Sequence, residues 1–575
     1  MSDTPPNPGT EPAGEQPRPT PSSAAPRRGY LRASALMASG SMVSRVLGFV
    51  RNFLMGMIVA GTGSAVSDAV SAANYLPNSI WILVGGGVLN AILVPAIVRA
   101  IERPDRGEDY ISRLMTLVVL AATTVTALCT LAVPALILLT SGTMPEGTSA
   151  LAIQLGYWMM PQIIFSALYV MCGQILNAHE SFGPYQWAPV LNNVVGIVGA
   201  LAFLGIWGSE GDPSNWTWPM VIALAAFNVG GSAAQVAFLL YYVRKLGLRL
   251  RPRWGLRGLG LGKLSRMGLW TFAMLGIAQV GIWASRWSTT NAREASATLT
   301  DQGRTLEAAR HPALFTLDSA YMAFMIPQGI IAVALVTASF PAIARSASRG
   351  DHDEVLREYA RTSRILAVPM VLCTAVFAAL SAPIMWVIIG GTGRVAAEAN
   401  ALVLVGYMVG LVPFAATYLV KRVFYAYEDA RTPFLMQIPA TLAPVLCVLP
   451  ILHLVPAQYA AAAAAGSSSL GSLAGWLLGL WLLSRRVHGL GADTSTAGRT
   501  AVVLSKLLLA GVLTTAVGLG LYWLLGDLFW IHRVVAVGLG AGVGLVMTLV
   551  FVGLAWMLRV EELRAVVARV RRRRG

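Results

Sequence analysis

The chain has 575 residues, of which 56% are hydrophobic and 12% are charged, and its mean hydropathy is +0.64. So few charges beside so much apolar surface exclude an ordinary soluble domain and indicate an all-α polytopic membrane protein. The net charge of +16 does not indicate a nucleic-acid-binding domain, because the basic residues lie between and beyond the apolar segments.

Residues 1–30 are rich in proline, serine, threonine and glycine, and they mix acidic with basic residues. They contain no apolar run of the kind that a signal peptide needs. A segment of this composition cannot bury enough apolar surface to fold. We predict a disordered cytoplasmic tail.

Fourteen apolar segments follow, and each is long enough to cross the roughly 30 Å hydrocarbon core of a bilayer as a helix. With the N-terminus in the cytoplasm, 35 of the 43 lysines and arginines lie on the cytoplasmic side, as the positive-inside rule predicts. We therefore predict fourteen transmembrane helices with both termini cytoplasmic. Their approximate bounds are 34–60, 66–98, 112–140, 149–177, 185–207, 217–243, 267–288, 313–344, 363–390, 400–424, 433–454, 458–484, 502–525 and 532–558.

The loop from Arg244 to Arg266 carries eight basic residues and no acidic residue. This composition suits a segment that lies on the anionic lipids of the inner leaflet. A glycine-rich run at 258–263 lacks the spacing of a phosphate-binding loop, because Arg257 stands where the first glycine belongs. We predict no nucleotide site here.

Short sequence matches relate the two halves of the chain. Residues 95–99 are similar to residues 341–345, and residues 165–169 are similar to residues 414–418, at offsets of 246 and 249 residues. Such repeats are typical of transporters with two lobes around a central cavity. We predict an N-terminal six-helix lobe (31–245), a basic cytoplasmic linker (246–266), a C-terminal six-helix lobe (267–490), two additional helices (500–560) and a basic cytoplasmic tail (561–575).

The first span contains two arginines, and each costs roughly 2.5 to 3.5 kcal/mol at the centre of a bilayer on insertion scales. Arginines kept at such a cost are expected to face protein or water. Ser44 and Arg51 fall on one helical face and Arg45 lies beside Ser44, so both guanidinium groups can reach one cavity. The alternative is that Arg45 snorkels to the interface and Arg51 pairs with a carboxylate to hold helices together.

The second span contains breaks in its helical pattern. Leu76-Pro77-Asn78 is followed by Gly85, Gly86 and Gly87. Proline and consecutive glycines leave a helix bent or loosely wound, and in a membrane the freed backbone groups need protein or cavity water. We predict a hinge at Pro77 and the three glycines. The alternative is that the glycines only allow close helix packing.

Acidic residues are rare within the spans. Asp68, near the outer end of the second span, and Asp318 are the two that we place there. A pair between Asp68 and Arg51 would form a gate that holds the outer side closed. A static position of Asp68 at the outer interface is the alternative.

Charged connections lie on both sides of the second half. The external connection at 289–311 carries six charged residues, which favour a solvated face. The inner connection begins with Lys421 and Arg422. These two residues either meet an incoming anionic headgroup or serve only as positive-inside anchors.

The four cysteines, Cys129, Cys172, Cys373 and Cys447, all lie in apolar spans. The sequence has no CxxC pair and no histidines at ligand spacing near them. This pattern argues against a disulfide framework and a metal site. We predict no cofactor, and the identity of any coupling cation stays open.

Several of these segments resemble one known family. They are Ser-Arg-Val-Leu-Gly-Phe-Val-Arg at 44–51, Asp68 followed by Leu-Pro-Asn at 76–78, Val-Pro at 94–95, Ile-Pro-Gln-Gly at 326–329, and the stretch from Tyr425 to Pro433. Together they are similar to the MviN/MurJ lipid II flippases, over about residues 34–560. The resemblance implies the fold of the multidrug, oligosaccharidyl-lipid and polysaccharide exporter superfamily, in which the last two helices form a groove for a polyprenyl tail.

The resemblance also implies roles for individual residues. Arg45 and Arg51 match the essential cavity arginines of the family, and Asp68 matches its gate aspartate. Trp81 and Met322 stand where well-studied members have two further arginines, and the glycine run replaces an acidic residue. The headgroup site is therefore expected to use Arg45, Arg51, Ser44 and Asn78, either mainly on the first helix or with Arg286, Arg310, Lys421 and Arg422 as additional cations.

The function implied is transport, not enzymatic catalysis. The resemblance points to a monomeric flippase of the bacterial plasma membrane that moves lipid II, the undecaprenyl-diphosphate-linked peptidoglycan precursor, to the outer leaflet for cell wall biogenesis. Its expected partners are lipid II and anionic membrane lipids, not nucleic acid or nucleotide, and cell-wall synthesis or regulatory proteins remain open. A headgroup of charge about −2 gains roughly 2.3 kcal/mol per charge per 100 mV on moving outward, so the membrane potential is a sufficient driver.

Two alternatives remain open. A cation-coupled exporter of drugs or of other polyprenyl-linked oligosaccharides, from the same superfamily, would favour acidic residues over arginines in the cavity. A polytopic lipid-linked glycosyltransferase would need a catalytic acid pair or a large external loop, and the longest predicted external loop has only about 23 residues.

Overall fold

The computed structural model describes residues 27–83, 97, 100, 107–255, 266–488, 496–560 and 562. Every regular element within these residues is helical, as predicted. Most of both predicted tails, the triplet Gly85, Gly86 and Gly87, and part of the basic linker lie outside the described residues.

The first lobe is built from eight described helices. They are α1 (Arg27–Ile58), α2 (Ala65–Leu83), α3 (Glu108–Leu131), α4 (Val133–Ser141), α5 (Glu146–Met159), α6 (Gln162–Ala178), α7 (Phe182–Trp207) and α8 (Trp218–Lys245). Helix α1 packs along α7, which packs along α8, while α2 packs against α5 and α6 packs against α3 and α8. The five helices α1, α2, α6, α7 and α8 thus surround a common interior.

The second lobe and the C-terminal helices complete the described chain. They are α9 (Arg266–Trp287), α10 (Thr290–Asp301), α11 (Thr305–Ala308), α12 (Leu314–Pro327), α13 (Val333–Ser348), α14 (His352–Ala379), α15 (Ser381–Ile388), α16 (Arg394–Met408), α17 (Leu411–Ala426), α18 (Arg431–Leu454), α19 (Ala460–His488), α20 (Thr496–Leu525) and α21 (Arg533–Met557). Within this lobe α18 packs against α9 and α19. The last two helices dock on its outside, α20 on α14 and α21 on α15.

Several predicted spans are broken where proline removes a backbone donor. Helices α3 and α4 meet at Ala132, two residues before Pro134, and α5 and α6 meet at Pro161 with a bend of 40°. After Pro327 the chain forms a π-helical turn, Gln328–Ala332, which joins α12 to α13. Such turns occur mostly as local bulges at functional sites.

The predicted count of fourteen spans is not confirmed. Among the described residues, eleven helical units are long and apolar enough to cross a membrane, and the bent pair of α5 and α6 raises the number to twelve. Helix α1, which carries Arg45 and Arg51, and helix α2, which is described only to Leu83, are not among them. The chain is a multi-pass membrane protein.

The two lobes meet closely where α1 ends. A Cβ atom added at Gly56 would lie 2.7 Å from the carbonyl oxygen of Gly390, and one added at Gly61 would lie 2.8 Å from that of Gly391. Side chains at these glycines would push the two backbones apart. Small residues therefore permit the direct contact between lobes at this end of the molecule.

The alternation of helices leads to a topology test. In a variant without native cysteines, we expect Ser209→Cys and Gln302→Cys to react with a membrane-impermeant maleimide in intact cells, and Arg251→Cys to react only after permeabilisation. All three residues are exposed in loops or at a helix end. Two predicted spans, 217–243 and 267–288, lie between Ser209 and Gln302, so both positions are expected on the same side of the membrane. Labelling of the Arg251→Cys variant from outside would contradict the predicted orientation.

Candidate functional site

A polar cavity of about 350 Å³ lies inside the first lobe, between α1, α2, α6, α7 and α8, with α12 of the second lobe on one side. Its wall contains the carboxamides Asn52, Asn74, Asn78, Gln162, Asn192, Asn228 and Gln235 and the hydroxyls Ser71, Ser166 and Ser232. On α2, α6 and α8 these residues recur at helical spacings of three and four, which place them on one face. A polar chamber, lined mainly by uncharged side chains, thus lies within apolar helices.

Arg51 lines this cavity and is held by carboxamides. Its Nη1 donates to Oδ1 of Asn192 at 3.3 Å, and its Nη2 donates to Oδ1 of Asn228 at 2.5 Å. Asn192 in turn donates to Oε1 of Gln235 at 3.0 Å. Within the described residues Arg51 has no carboxylate partner of the kind that the alternative interpretation requires, and its observed partners are amides of α7 and α8.

Gly196 of α7 provides the space that Arg51 occupies. A Cβ atom at this position would lie 2.7 Å from Nε and 2.8 Å from Cδ of Arg51. Because the arginine passes directly over the backbone of α7, a larger residue would displace it. Sequence and packing together thus fix the position of this guanidinium group.

Arg45 faces the other lobe. A Cβ atom at Gly329, in the π-helical turn, would lie 2.6 Å from Nη2 and 2.7 Å from Nη1 of Arg45. No hydrogen bond or ion pair joins this guanidinium group to any residue in the described part of the chain. Gly329 lies near the middle of the 314–348 span, so the contact does not fit an arginine that snorkels to an interface.

The two arginines therefore occupy different places, although both were expected to reach one cavity. Arg51 belongs to the wall of the polar cavity, whereas Arg45 lies between the lobes and is not part of that wall. Ser44 does not line the polar cavity. Its carbonyl and its hydroxyl oxygen both accept from Nδ2 of Asn193 on α7, at 2.8 and 3.2 Å. Asn78 lines the cavity, and its role in headgroup binding stays a prediction.

Asp68 connects the lobes without Arg51. Its Oδ1 accepts the backbone N–H groups of Leu314 and Phe315, at 2.9 and 3.4 Å, at the start of α12. The carboxylate thus caps a helix of the second lobe, where free N–H groups and the helix dipole favour a negative charge. The expected pair of Asp68 with Arg51 is not formed in this structure.

Arg286 is buried and forms an ion pair with Asp318. Its Nη1 donates to Oδ1 of Asp318 at 2.8 Å, and its Nη2 lies 3.4 Å from the hydroxyls of Ser71 and Ser141 in the first lobe. Ser71 also donates to Asp318, and the guanidinium lies 4.3 Å from the ring centre of Tyr75. Arg286 is only 2% exposed, so in this conformation it is part of the contact between lobes.

Further contacts on the same side cross between the lobes. Arg293 donates to the carbonyl oxygen of Thr143 at 2.9 Å, and Ser296 donates to that of Gly63 at 2.7 Å. The 289–311 connection was expected to be a solvated face, but Arg293 is buried in it. Arg304 and Glu307 do form an exposed pair, and this hydrogen bond holds the pKa of the Glu307 carboxyl below its usual range.

The other candidate cations lie away from the polar cavity. Arg310 is exposed in the loop before α12. Lys421 donates to Oε1 of Gln437 at 3.0 Å, and Arg422 donates to the hydroxyl of Tyr418 at 2.8 Å. None of the three lines the cavity, and a role for them in headgroup binding stays a prediction.

The hinge residues are only partly described. Pro77 lies inside α2, and the chain is helical both before and after this proline. The glycine triplet is outside the described residues. Trp81, which replaces an expected arginine, lines the polar cavity. Met322, which replaces the other, packs against the apolar core of the protein.

An apolar groove of about 510 Å³ lies between α14, α17, α19 and α20. Residues such as Leu366, Met370 and Leu504 line it, and Arg364 lies at its polar end, where it pairs with Glu562 and donates to Thr500 at 3.2 Å. A tail groove was expected from the last two helices. Of these only α20 contributes to the wall, and the second lobe supplies the rest.

No group of three or more histidine, cysteine, aspartate or glutamate side chains is placed to hold a metal ion, as far as the structure describes the chain. The carboxamides Gln162, Asn192, Asn228 and Gln235 were missed as site residues. Their signal in the sequence is weak, because uncharged amides at helical spacing stand out little within apolar spans.

Comparisons with known proteins place this chain among membrane transporters. A family model described as lipid II flippase MurJ matches residues 60–534. The chain is 24% identical over 498 residues to a probable lipid II flippase MurJ of Rhizobium tropici, covering 83% of this chain and 85% of the relative. It is also 24% identical over 421 residues to one of Vibrio cholerae, covering 70% and 74%.

Solved structures show the same fold. A lipid II flippase MurJ in an inward closed conformation aligns with a TM-score of 0.67 and 16% identity, over 90% of this chain and 98% of that one. An inward-facing multidrug resistance MATE transporter of the MOP superfamily aligns with a TM-score of 0.60 and 15% identity, over 80% and 99%. Because the family model spans most of the sequence, the chain belongs to the lipid II flippase MurJ family.

Proposed function

We propose that this protein is a lipid II flippase, which carries the undecaprenyl-diphosphate-linked peptidoglycan precursor from the cytoplasmic to the outer leaflet by alternating access. The observation that carries the proposal is Arg45, a guanidinium group without a partner among the described residues, which lies against Gly329 of the second lobe on the same helix as Arg51 of the polar cavity. A transporter needs a cationic and hydrated place inside the bilayer to accept such a headgroup. We place the protein in the bacterial plasma membrane with both termini cytoplasmic.

The diphosphate is assigned to Arg45. A guanidinium group offers a planar fork of donors that matches phosphate oxygens, and its charge-assisted hydrogen bonds are stronger than neutral ones. Arg45 uses none of these donors on a described residue, whereas Arg51 already donates to Asn192 and Asn228. Arg51 adds positive charge to the chamber and keeps its amides in place.

The contacts between the lobes fit a conformation of the transporter that is closed toward the outside. Asp68 joins α2 to α12, and Arg286 joins Asp318 to Ser71 and Ser141. These bonds cross between lobes and must break before a headgroup can leave toward the outside. We infer that they form the outer gate, with Asp68 as an acceptor for backbone donors.

The polyprenyl tail requires an apolar path. The groove between the second lobe and α20 is lined mainly by apolar side chains and has Arg364 at one end. We propose that it holds part of the tail while the headgroup crosses. The transport step breaks no covalent bond, and we propose the membrane potential as its driver, without a cofactor.

A cation-coupled exporter of the same superfamily is the second candidate, favoured by the fold shared with the MATE transporter. Such coupling requires acidic residues that are available in the cavity. Asp318 is the one acid in the described wall, and it is paired with Arg286. The chamber therefore suits an anionic substrate better than a coupling site.

The proposal is tested by complementation of a strain with a conditional lipid II flippase, together with an assay of lipid II in each leaflet. We expect Arg45→Ala to lower transport by about tenfold or more, as for lost hydrogen bonds to a charged group, and Arg45→Lys to retain part of it. Arg51→Ala is expected to impair transport as well, because the amide oxygens of Asn192 and Asn228 lose their donor.

The control for both alanine variants is Arg310→Ala, at an exposed loop arginine. All variants are compared at equal membrane abundance, since removal of an intramembrane charge should not hinder insertion. Full transport and full lipid II binding by both the Arg45→Ala and Arg51→Ala variants would refute this assignment.

Gly329 offers a test of Arg45 that leaves the arginine in place. Gly329→Ala adds a Cβ atom where the guanidinium group lies, so Arg45 should move aside without unfolding the protein. We expect transport to fall by about three- to tenfold. Gly276→Ala is the matched control, because a Cβ atom there meets nothing within 4 Å. Equal transport by the two variants would show that the position of Arg45 is not critical.

Two substitutions of Asp68 distinguish its role as a hydrogen-bond acceptor from a role of its negative charge. Asp68→Asn keeps an oxygen for the N–H groups of Leu314 and Phe315, whereas Asp68→Ala leaves them unpaired at a cost of about 1–3 kcal/mol. We expect the asparagine variant to retain clearly more transport than the alanine variant in the same assay. Equal loss in both would indicate that the charge, and hence an ion pair, is the essential feature.

A further inference from the structure

Most of the polar groups in the wall of the first-lobe cavity are neutral. Arg51 donates one bond from each Nη atom to an amide, and the carboxylate of Asp318 is paired with Arg286. The other polar side chains of the wall are mainly carboxamides and hydroxyls, which are both donors and acceptors. Such a wall suits hydroxyl and amide groups of a ligand better than a phosphate.

Gln162 carries a buried amide donor, Nε2, without a partner among the described residues. Its side chain lines the cavity and is only 8% exposed. Most buried polar groups are paired, and an unpaired one calls for an explanation. A rotation of the side chain toward the cavity would let a ligand oxygen satisfy this donor.

Aromatic rings form another part of the wall. Trp81 follows Asn74 and Asn78 on the same face of α2, at spacings of four and three residues. Tyr169 of α6 also lines the cavity, and it stacks on Tyr185 with ring centres 4.9 Å apart. An aromatic ring offers a broad apolar face, and Trp81 lies on the same side of α2 as the amides of Asn74 and Asn78.

A pyranose ring has the complementary surface. One face of the sugar presents C–H groups that stack on an aromatic ring, and its edge presents hydroxyls that bond to amides. The volume of about 350 Å³ lies at the lower end of small-molecule sites, so the cavity has room for a small part of a large headgroup. An acetamido group adds a carbonyl oxygen that an amide donor such as Nε2 of Gln162 can bind.

We infer that the first-lobe cavity is a saccharide subsite, in which Trp81 stacks on an N-acetylated sugar of the substrate and the carboxamides bind its hydroxyl and acetamido groups. The inference rests on the proposed function and deepens it. It divides the headgroup between two places, the diphosphate at Arg45 and a sugar at Trp81. Trp81 thereby replaces an expected cation with a contact for a neutral ring.

The first experiment compares two lipids on the purified full-length protein. Binding of lipid II and of undecaprenyl diphosphate, which lacks sugars, is measured for the parent, Trp81→Ala and Trp81→Phe. We expect Trp81→Ala to weaken lipid II binding by about tenfold, to change undecaprenyl diphosphate binding less than twofold, and Trp81→Phe to restore most of the loss. Trp254→Ala, at a tryptophan that is 76% exposed, is the control.

The second experiment probes the cavity directly. In a variant without native cysteines, Asn78→Cys is labelled with a small maleimide, since Asn78 is exposed toward the cavity. We expect the N-acetylglucosamine–N-acetylmuramic acid disaccharide at millimolar concentration to slow labelling several-fold, and glucose or the free stem peptide to have little effect. Adding Trp81→Ala should remove the protection.

The outcomes separate the inference from the proposed function. Equal weakening of both lipids by Trp81→Ala, or protection by the stem peptide and not by the disaccharide, would overturn the saccharide subsite while leaving the flippase proposal in place. If the parent bound neither lipid and the disaccharide gave no protection, both would be overturned. Loss of lipid II binding alone, with sugar protection that depends on Trp81, supports the subsite.

Discussion

The need to solvate a guanidinium group inside the membrane governs the first lobe. Arg51 cannot remain among apolar helices without acceptors, and the structure supplies Asn192 from α7 and Asn228 from α8. Bonding these two amides to one arginine fixes α1 against both helices. The chamber between them follows from this arrangement, because the remaining amides that face the arginine cannot pack as an apolar core.

Much of the fold could be predicted from the sequence. The apolar runs located the spans, because hydrophobic length is a local property. The breaks near Pro134, Pro161 and Pro327 were not predicted, and the hinge was expected at Pro77, where α2 continues. The surroundings of Arg45 and Arg51 were predicted only in part. Their contacts come from residues far along the chain, and neither periodicity nor spacing within one helix reports such partners.

The contact between the lobes at Asp68 and Arg293 shows the same limit. A loop with alternating charges is usually solvated, so Arg293 gave no local sign that it would be buried. Its acceptor is a backbone carbonyl, at Thr143, and backbone atoms leave no trace in a sequence pattern. Asp68 likewise uses backbone donors at the start of α12, which explains why a side-chain partner was the natural expectation.

Asp318 takes part both in the contact between the lobes and in the wall of the polar cavity. One of its oxygens is bound by Arg286 and the other by Ser71, yet the residue is 45% exposed and forms part of the cavity wall. In the proposed transport cycle, a substrate group that bonded to this carboxylate would change the bonds that join the lobes. Binding in the cavity and separation of the lobes would then be thermodynamically linked. Because such linkage is reciprocal, separation of the lobes would alter substrate affinity by the same factor.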